Sequence, residues 1–120
     1  MKSVFKWICS LLLITSILVP LTASEGVQQL GAANDFASIL SSKEVVVADF
    51  FAVWCPPCQK LGPLMEEIAK DPQWAGKVAF VKIDVDKFTD LAQQYDVSGI
   101  PDVRLFYKGK EINKLVGLQE

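Results

Sequence analysis

The chain of 120 residues contains no histidine, and only three of its residues are cysteines. The absence of imidazole excludes histidine general bases, serine–histidine and cysteine–histidine nucleophile pairs, and almost every catalytic zinc site. The chain also lacks a basic excess, because 14 acidic residues outnumber 12 lysines and arginines. Nucleic-acid binding, which normally needs a basic face, is therefore not expected. With 51% hydrophobic residues, the chain is predicted to form one folded domain.

The N-terminus forms a segment of its own. Lys2 and Lys6 precede an apolar run over residues 7–19, and small residues follow it. This layout is typical of a secretory signal, so we predict a signal peptide over residues 1–23 and a mature domain over residues 24–120. An uncleaved membrane anchor is the alternative, although the run is shorter than the roughly 20 residues that a spanning helix needs.

Hydrophobic periodicity in the mature domain predicts helices that alternate with strands. The β-branched and aromatic run Val45–Phe51 is typical of a strand buried on both faces. From Gln59 the spacing of apolar residues becomes helical, and Pro63 is expected to kink that helix. Such alternation predicts an α/β domain with a parallel core sheet and an antiparallel hairpin at its edge. The predicted elements are helices at 34–40, 59–70 and 88–95 and strands at 45–51, 78–85, 102–107 and 111–116, with a short extra strand at 27–30.

Two cysteines lie between the buried strand and the long helix, in the segment Trp54-Cys55-Pro56-Pro57-Cys58. Unpaired amides and the positive end of a helix dipole stabilise a thiolate, so Cys55 is the candidate nucleophile. Cys58, one turn further and more buried, can resolve a mixed disulfide. Pro56 and Pro57 donate no hydrogen bond, so the expected backbone donor to the Cys55 sulfur is the amide of Cys58. Half of a zinc site, a purely structural disulfide and two unconnected core cysteines are the alternatives.

Four segments in this order resemble the thioredoxin family. The stretch 47–64 is similar to the family's active-site segment, and 81–86 to its next strand. Residues 95–101 resemble its cis-proline loop and 108–110 its hairpin. The resemblance implies a thioredoxin-like three-layer α/β fold with a central mixed sheet. It also implies thiol–disulfide oxidoreductase activity with no cofactor beyond the cysteine pair.

The resemblance further implies roles for individual residues. Asp49, on the buried strand, would accept and return the proton of the resolving cysteine, with Lys82 nearby. Pro101 would be cis, and Ile100 would pair its backbone with a substrate strand. The alternatives are a solvent-facing aspartate at the end of the strand for Asp49, an ordinary exposed strand lysine for Lys82 and a trans turn proline for Pro101. The implied substrate-binding residues are Trp54, Ile100, Pro101 and Gly117, and the implied supporting residues are Lys82, Pro56, Pro57 and Pro63.

We therefore expect an exported, periplasmic or otherwise extracytoplasmic, oxidoreductase that acts on cysteine-containing protein substrates. A membrane or exported thiol relay would supply electrons, and no metal is expected. Oxidases of this fold often carry a histidine between the cysteines, so the Pro-Pro pair favours a reductase or an isomerase. A non-catalytic peptide-binding module is the alternative. Family members usually end in a further helix, and because this chain stops at Glu120 we expect that helix to be missing.

Overall fold

The computed structural model describes residues 26–118, so the predicted signal peptide at 1–23 lies outside the described residues. The described chain folds into five strands and three helices. In chain order they are β1 (Val27–Gln29), α1 (Asp35–Ser42), β2 (Val45–Phe51), α2 (Pro56–Lys70), β3 (Val78–Asp84), α3 (Thr89–Gln94), β4 (Asp102–Tyr107) and β5 (Lys110–Val116).

The strands form one mixed sheet in the order β1-β3-β2-β4-β5. Strand β2 is central, pairing in parallel with β3 and antiparallel with β4. The last four residues of β2 are all buried, as the continuous apolar run predicts. Lys108 and Gly109 join β4 to β5 with positive φ angles of 50° and 80°, which a two-residue type I′ turn requires. The predicted parallel core and antiparallel hairpin are therefore confirmed.

Helices cover both faces of this sheet. Because neighbouring residues of a strand point to opposite faces, Phe50 and Val47 of β2 belong to different cores. Phe50 packs with Phe36 of α1 and with α3 on one face. Val47 packs with Met65 of α2 on the other face. The arrangement is the predicted three-layer α/β fold, with the central sheet between α2 and the pair α1 and α3.

Helix α2 begins at Pro56, three residues before the predicted start at Gln59. The apolar periodicity could not show this, because the first turn is made of the two prolines and a cysteine. Proline is well suited to the first helical position, where its missing N–H has no intrahelical partner. Pro63 lies further along α2 at an exposed position, and the helix continues past it to Lys70.

The sheet face that carries α2 has an apolar exposed area. Leu64 and Ile68 on α2 and Leu115 on β5 are each about half exposed. The predicted absence of a final helix concerns the chain beyond β5, of which only residues 117 and 118 are described, so it stays a prediction. Within residues 26–118, no helix is both long enough and apolar enough to span a bilayer.

Candidate active site

The two cysteines lie at the N-terminus of α2, directly after the central strand. A turn closed by the Cys55 N–H and the Ala52 carbonyl oxygen, 3.2 Å apart, leads from β2 into the helix. Cys55 is the N-cap residue, in extended conformation, and it is joined to Cys58 by a disulfide with the two Cα atoms 5.2 Å apart. The topology thus places this disulfide at the carboxyl end of the central strand β2, which is where α/β sheets commonly bind ligands.

Within residues 26–118, one backbone amide donates a hydrogen bond to the sulfur of Cys55. Pro56 and Pro57 have no N–H, and the amide of Cys58 donates to Cys55 Sγ over 3.3 Å. This is the donor that the sequence predicts. Together with the positive end of the α2 dipole, it favours the thiolate of Cys55 when the disulfide is open.

Both cysteines are almost fully buried, with exposed fractions of 3% for Cys55 and 2% for Cys58. Cys58 is the more buried of the two, as the sequence predicts, but the difference is small. The two cysteines form a buried cluster with Phe51 at the end of β2, and Val85 and Ile100 pack against this cluster. The disulfide therefore lies against the segment that carries Ile100.

That segment is the loop between α3 and β4, and it carries a cis peptide bond between Ile100 and Pro101. The carbonyl oxygen of Ile100 lies 3.9 Å from Cys55 Sγ. Gly117 donates its N–H to the Pro101 carbonyl over 2.8 Å. Gly117 has a φ of +83°, a conformation that glycine adopts readily and other residues rarely do. The space into which a side chain would project is open.

Trp54 forms one wall of a groove beside this loop. Its side chain is 64% exposed, and its indole N–H donates to a carboxylate oxygen of Asp86 over 2.7 Å. Trp54, Val85 and Ile100 line a groove of about 200 Å³. The neighbouring Val53 is 67% exposed, so the surface around the disulfide is apolar.

Asp49 lies within β2 and is fully buried. Neither of its carboxylate oxygens has a hydrogen-bond partner among the described residues. Burial raises the pKa of Asp49 from 3.8 to about 6, while the positive charge of Lys82 lowers this pKa and the charge of Asp102 raises it. Asp49 and Lys82 are partners in the β2–β3 register, and the ammonium of Lys82 lies 4.1 Å from the centre of the Phe51 ring.

The structure therefore brings most of the predicted site residues together, and it adds two that the sequence did not indicate. Asp86 orients Trp54, and Arg104 forms a buried cluster with Asp102 behind the cis-proline loop. Asp86 lies in a segment with family resemblance, whereas no local sequence signal marks Arg104. Within residues 26–118 no cluster of three or more cysteine, aspartate or glutamate side chains is arranged to hold a metal ion. The arrangement can carry out thiol–disulfide exchange.

Comparison with known proteins agrees with this geometry. The family model described as "Thioredoxin" matches residues 27–120. Thioredoxin-2 of Saccharomyces cerevisiae is 44% identical over 93 residues, which cover 76% of this chain and 86% of the yeast protein. A thioredoxin of Neurospora crassa is 39% identical over 89 residues, covering 74% of this chain and 70% of the relative.

Solved structures give the same result. A mutant thioredoxin from Halobacterium salinarum superposes with a TM-score of 0.73 at 38% identity, covering 82% of this chain and 85% of its own. A thioredoxin of Malassezia sympodialis superposes with a TM-score of 0.73 at 34% identity, covering 80% of this chain and 83% of its own. The chain therefore belongs to the thioredoxin family of protein-disulfide oxidoreductases.

Proposed function

We propose that this oxidoreductase works outside the cytoplasm as a reductase or isomerase of disulfides in protein substrates. The observation that carries the proposal is the Cys55–Cys58 disulfide at the N-terminus of α2, with one amide donating to Cys55 Sγ and the Ile100 carbonyl beside it. In this role Cys55 is the nucleophile and Cys58 the resolving thiol.

The reaction proceeds in two exchanges. The thiolate of Cys55 attacks a substrate disulfide, forms a mixed disulfide and releases one substrate thiolate. The thiolate of Cys58 then attacks Cys55 Sγ, which closes the Cys55–Cys58 disulfide and releases the second substrate thiolate. Two electrons pass from the dithiol to the substrate. Asp49, whose pKa near 6 suits proton transfer close to neutral pH, accepts the proton of Cys58 through an intervening water.

Substrate binding falls to the groove and the loop beside the disulfide. The backbone of Ile100 pairs with an extended substrate segment, and Pro101 holds the loop in the shape that presents it. The groove beside Trp54 accommodates apolar side chains of the substrate. The open space beside Gly117 lets the substrate backbone approach closely. Pro56, Pro57 and Pro63 shape α2, and Lys82 moderates the charge of Asp49.

The direction of electron flow is set by how strongly the reduced form is stabilised. No positively charged side chain lies between the cysteines, and Pro56 and Pro57 supply no amides to the Cys55 thiolate. We therefore expect a reduction potential close to the value of about −270 mV known for thioredoxin, rather than the value of about −120 mV of a strong periplasmic oxidant. Equilibration with glutathione, followed by thiol trapping and counting, measures it. A potential near the oxidant's value would contradict the proposed direction.

Export rests on the layout of residues 1–23, which combines a basic start with an apolar run. When the full chain is expressed in bacteria, we expect a product shortened by about 23 residues in the extracytoplasmic fraction. Leu12→Arg, which places a charge in the apolar run, is the matched control and should keep the chain inside the cell. An uncleaved product in the membrane fraction would favour the anchor, and a full-length cytoplasmic product would contradict export. An exported reductase would draw its electrons from a membrane or exported thiol relay.

A peptide-binding module without catalysis is the second candidate. The exposure of Trp54 and Val53 beside the groove favours it, because such apolar surface also suits passive binding. Alkylation of Cys55 in the reduced protein separates the two functions. A binding module would keep its peptide ligand after alkylation, whereas the oxidoreductase would lose its turnover.

A further inference from the structure

The most unusual charged group of the structure is Arg104 on β4. Its exposed fraction is 3%, yet its guanidinium makes four hydrogen bonds. Nε and Nη2 donate to the two oxygens of Asp102, a fully buried carboxylate, over 2.6 and 2.8 Å. Nη1 donates to Glu111 of β5 over 3.0 Å, and Nη2 also donates to the carbonyl oxygen of Tyr95 over 2.8 Å.

These contacts connect the two ends of the cis-proline loop. Tyr95 is the residue that ends α3 and precedes the loop, and Asp102 directly follows Pro101. One guanidinium therefore holds both the entry and the exit of residues 96–101. Ile100 lies in the loop between these two anchored residues, Tyr95 and Asp102, and its carbonyl oxygen is 3.9 Å from Cys55 Sγ.

The cluster is on the side of the sheet that faces away from α2. Arg104 pairs with Ala48 in the β2–β4 register, and Ala48 belongs to the core formed with α1 and α3. A buried ion pair is costly to desolvate and is often replaceable by apolar residues without loss of stability. Stability alone therefore explains poorly why an arginine and an aspartate occupy this core, whereas a positional role explains the bidentate geometry and the shared contact with Tyr95.

We propose that Arg104 is a positioning residue, which acts through Asp102 and Tyr95 to hold Ile100 in register with Cys55 for binding of an extended protein substrate. Arg104 touches neither the disulfide nor the substrate. Its effect is expected in protein substrates, which need the loop backbone, and not in small disulfides, which react with Cys55 without lying along the loop. This inference rests on the proposed function.

The test uses Arg104→Lys in the full chain, with dithiothreitol as electron donor. A lysine ammonium keeps the charge but cannot bond both Asp102 oxygens and the Tyr95 carbonyl together. We expect kcat/KM for insulin, a protein disulfide, to fall on the order of tenfold, mainly through KM. Because dithiothreitol reduces the small aromatic disulfide dithiobis-nitrobenzoate directly, that reaction is measured with protein that has been reduced beforehand and freed of dithiothreitol. The single-turnover rate should stay within about twofold. Glu111→Gln, which leaves the Asp102–Arg104 contact in place, is the matched control and should change neither rate.

A second measurement reports the position of the loop directly. Amide hydrogen exchange in residues 96–100 should become faster in Arg104→Lys, while exchange in the middle of α2 stays unchanged. If Arg104→Lys does not fold, the double variant Asp102→Thr with Arg104→Leu takes its place, because it removes both buried charges together.

Equal losses with insulin and with the small disulfide, or no loss with either, would overturn the positioning role, as would failure of both variants to fold. If the unmodified chain does not reduce insulin at all, the proposed function itself fails, and the inference falls with it. An active unmodified chain with an unchanged ratio of the two rates in the variants refutes the positioning role alone.

Discussion

Replacement of Cys55 by serine should abolish turnover of protein disulfides, with a loss of about three orders of magnitude or more. A serine hydroxyl is not ionised near neutral pH and cannot form a disulfide, so the first exchange has no nucleophile. The measurement is insulin reduction with dithiothreitol as donor, corrected for the uncatalysed reaction. The site at the start of α2 makes this expectation specific to Cys55, because its sulfur accepts the hydrogen bond from the Cys58 amide.

Replacement of Cys58 by serine should give a different failure. Cys55 can still attack the substrate, but no thiol closes the disulfide, so the mixed disulfide accumulates. Mass spectrometry under denaturing, non-reducing conditions should detect a covalent adduct whose mass is the sum of protein and substrate. The Cys55→Ser protein is the matched control and should form no adduct. Turnover by Cys55→Ser at the unmodified rate would refute the mechanism.

Replacement of Asp49 by asparagine should stabilise the folded protein above neutral pH. The carboxylate of Asp49 is fully buried without a hydrogen-bond partner among the described residues, and its pKa is raised from 3.8 to about 6. Between these two values the folded state holds a proton that the unfolded state has lost, so stability decreases as the pH rises through this window. A pKa shift of this size lowers the free energy of unfolding by about 3 kcal/mol once the pH exceeds about 6.

We therefore expect Asp49→Asn to be more stable than the unmodified protein by an amount that depends on pH. The free energy of unfolding of Asp49→Asn should exceed that of the unmodified protein by up to about 3 kcal/mol at pH 7 to 8. The difference should shrink as the pH falls towards about 4, because the carboxyl then begins to be protonated in the unfolded state as well as in the folded state. Denaturant unfolding of the oxidised proteins at a series of pH values measures it. Glu67→Gln, at an exposed site on α2, is the matched control and should change stability by less than about 0.5 kcal/mol.

The same substitution should slow turnover, because the amide cannot accept the proton of Cys58. Stability and activity would then change in opposite directions, which a purely structural Asp49 would not produce. A stability difference that stays constant between pH 4 and pH 8 would show that the Asp49 carboxyl does not titrate abnormally.

Much of the fold and part of the site follow from local patterns in the sequence. The apolar run Val45–Phe51 predicts the central strand, because only a strand covered on both faces tolerates such a sequence. The prolines between the cysteines predict the amide donor to Cys55, because they remove the alternatives. Lys108 and Gly109 indicate the hairpin turn, and the structure places both in the left-handed region.

Contacts between distant segments could not be predicted in this way. The burial of Arg104 depends on Tyr95 and Glu111, which meet it only after the sheet and α3 have assembled. Likewise, the packing of Ile100 against the cysteine cluster joins residues that are 45 positions apart in the chain. Periodicity describes which face of an element is apolar, but it does not describe which side chains of other elements pack against that face.

The two prolines at the start of α2 also have a consequence for protein engineering. The side chain of an N-cap residue normally accepts a hydrogen bond from the backbone N–H of the second or third helical residue. Pro57, the second helical residue, has no N–H, so Cys55 accepts from the third, Cys58. Substituting alanine at Pro57 would restore the second amide and give the Cys55 thiolate another donor without enlarging the side chain. The dithiol would then be favoured over the disulfide, as it is in strong oxidants. Pro57 is therefore a backbone position at which the reduction potential of the cysteine pair can be raised by a single substitution.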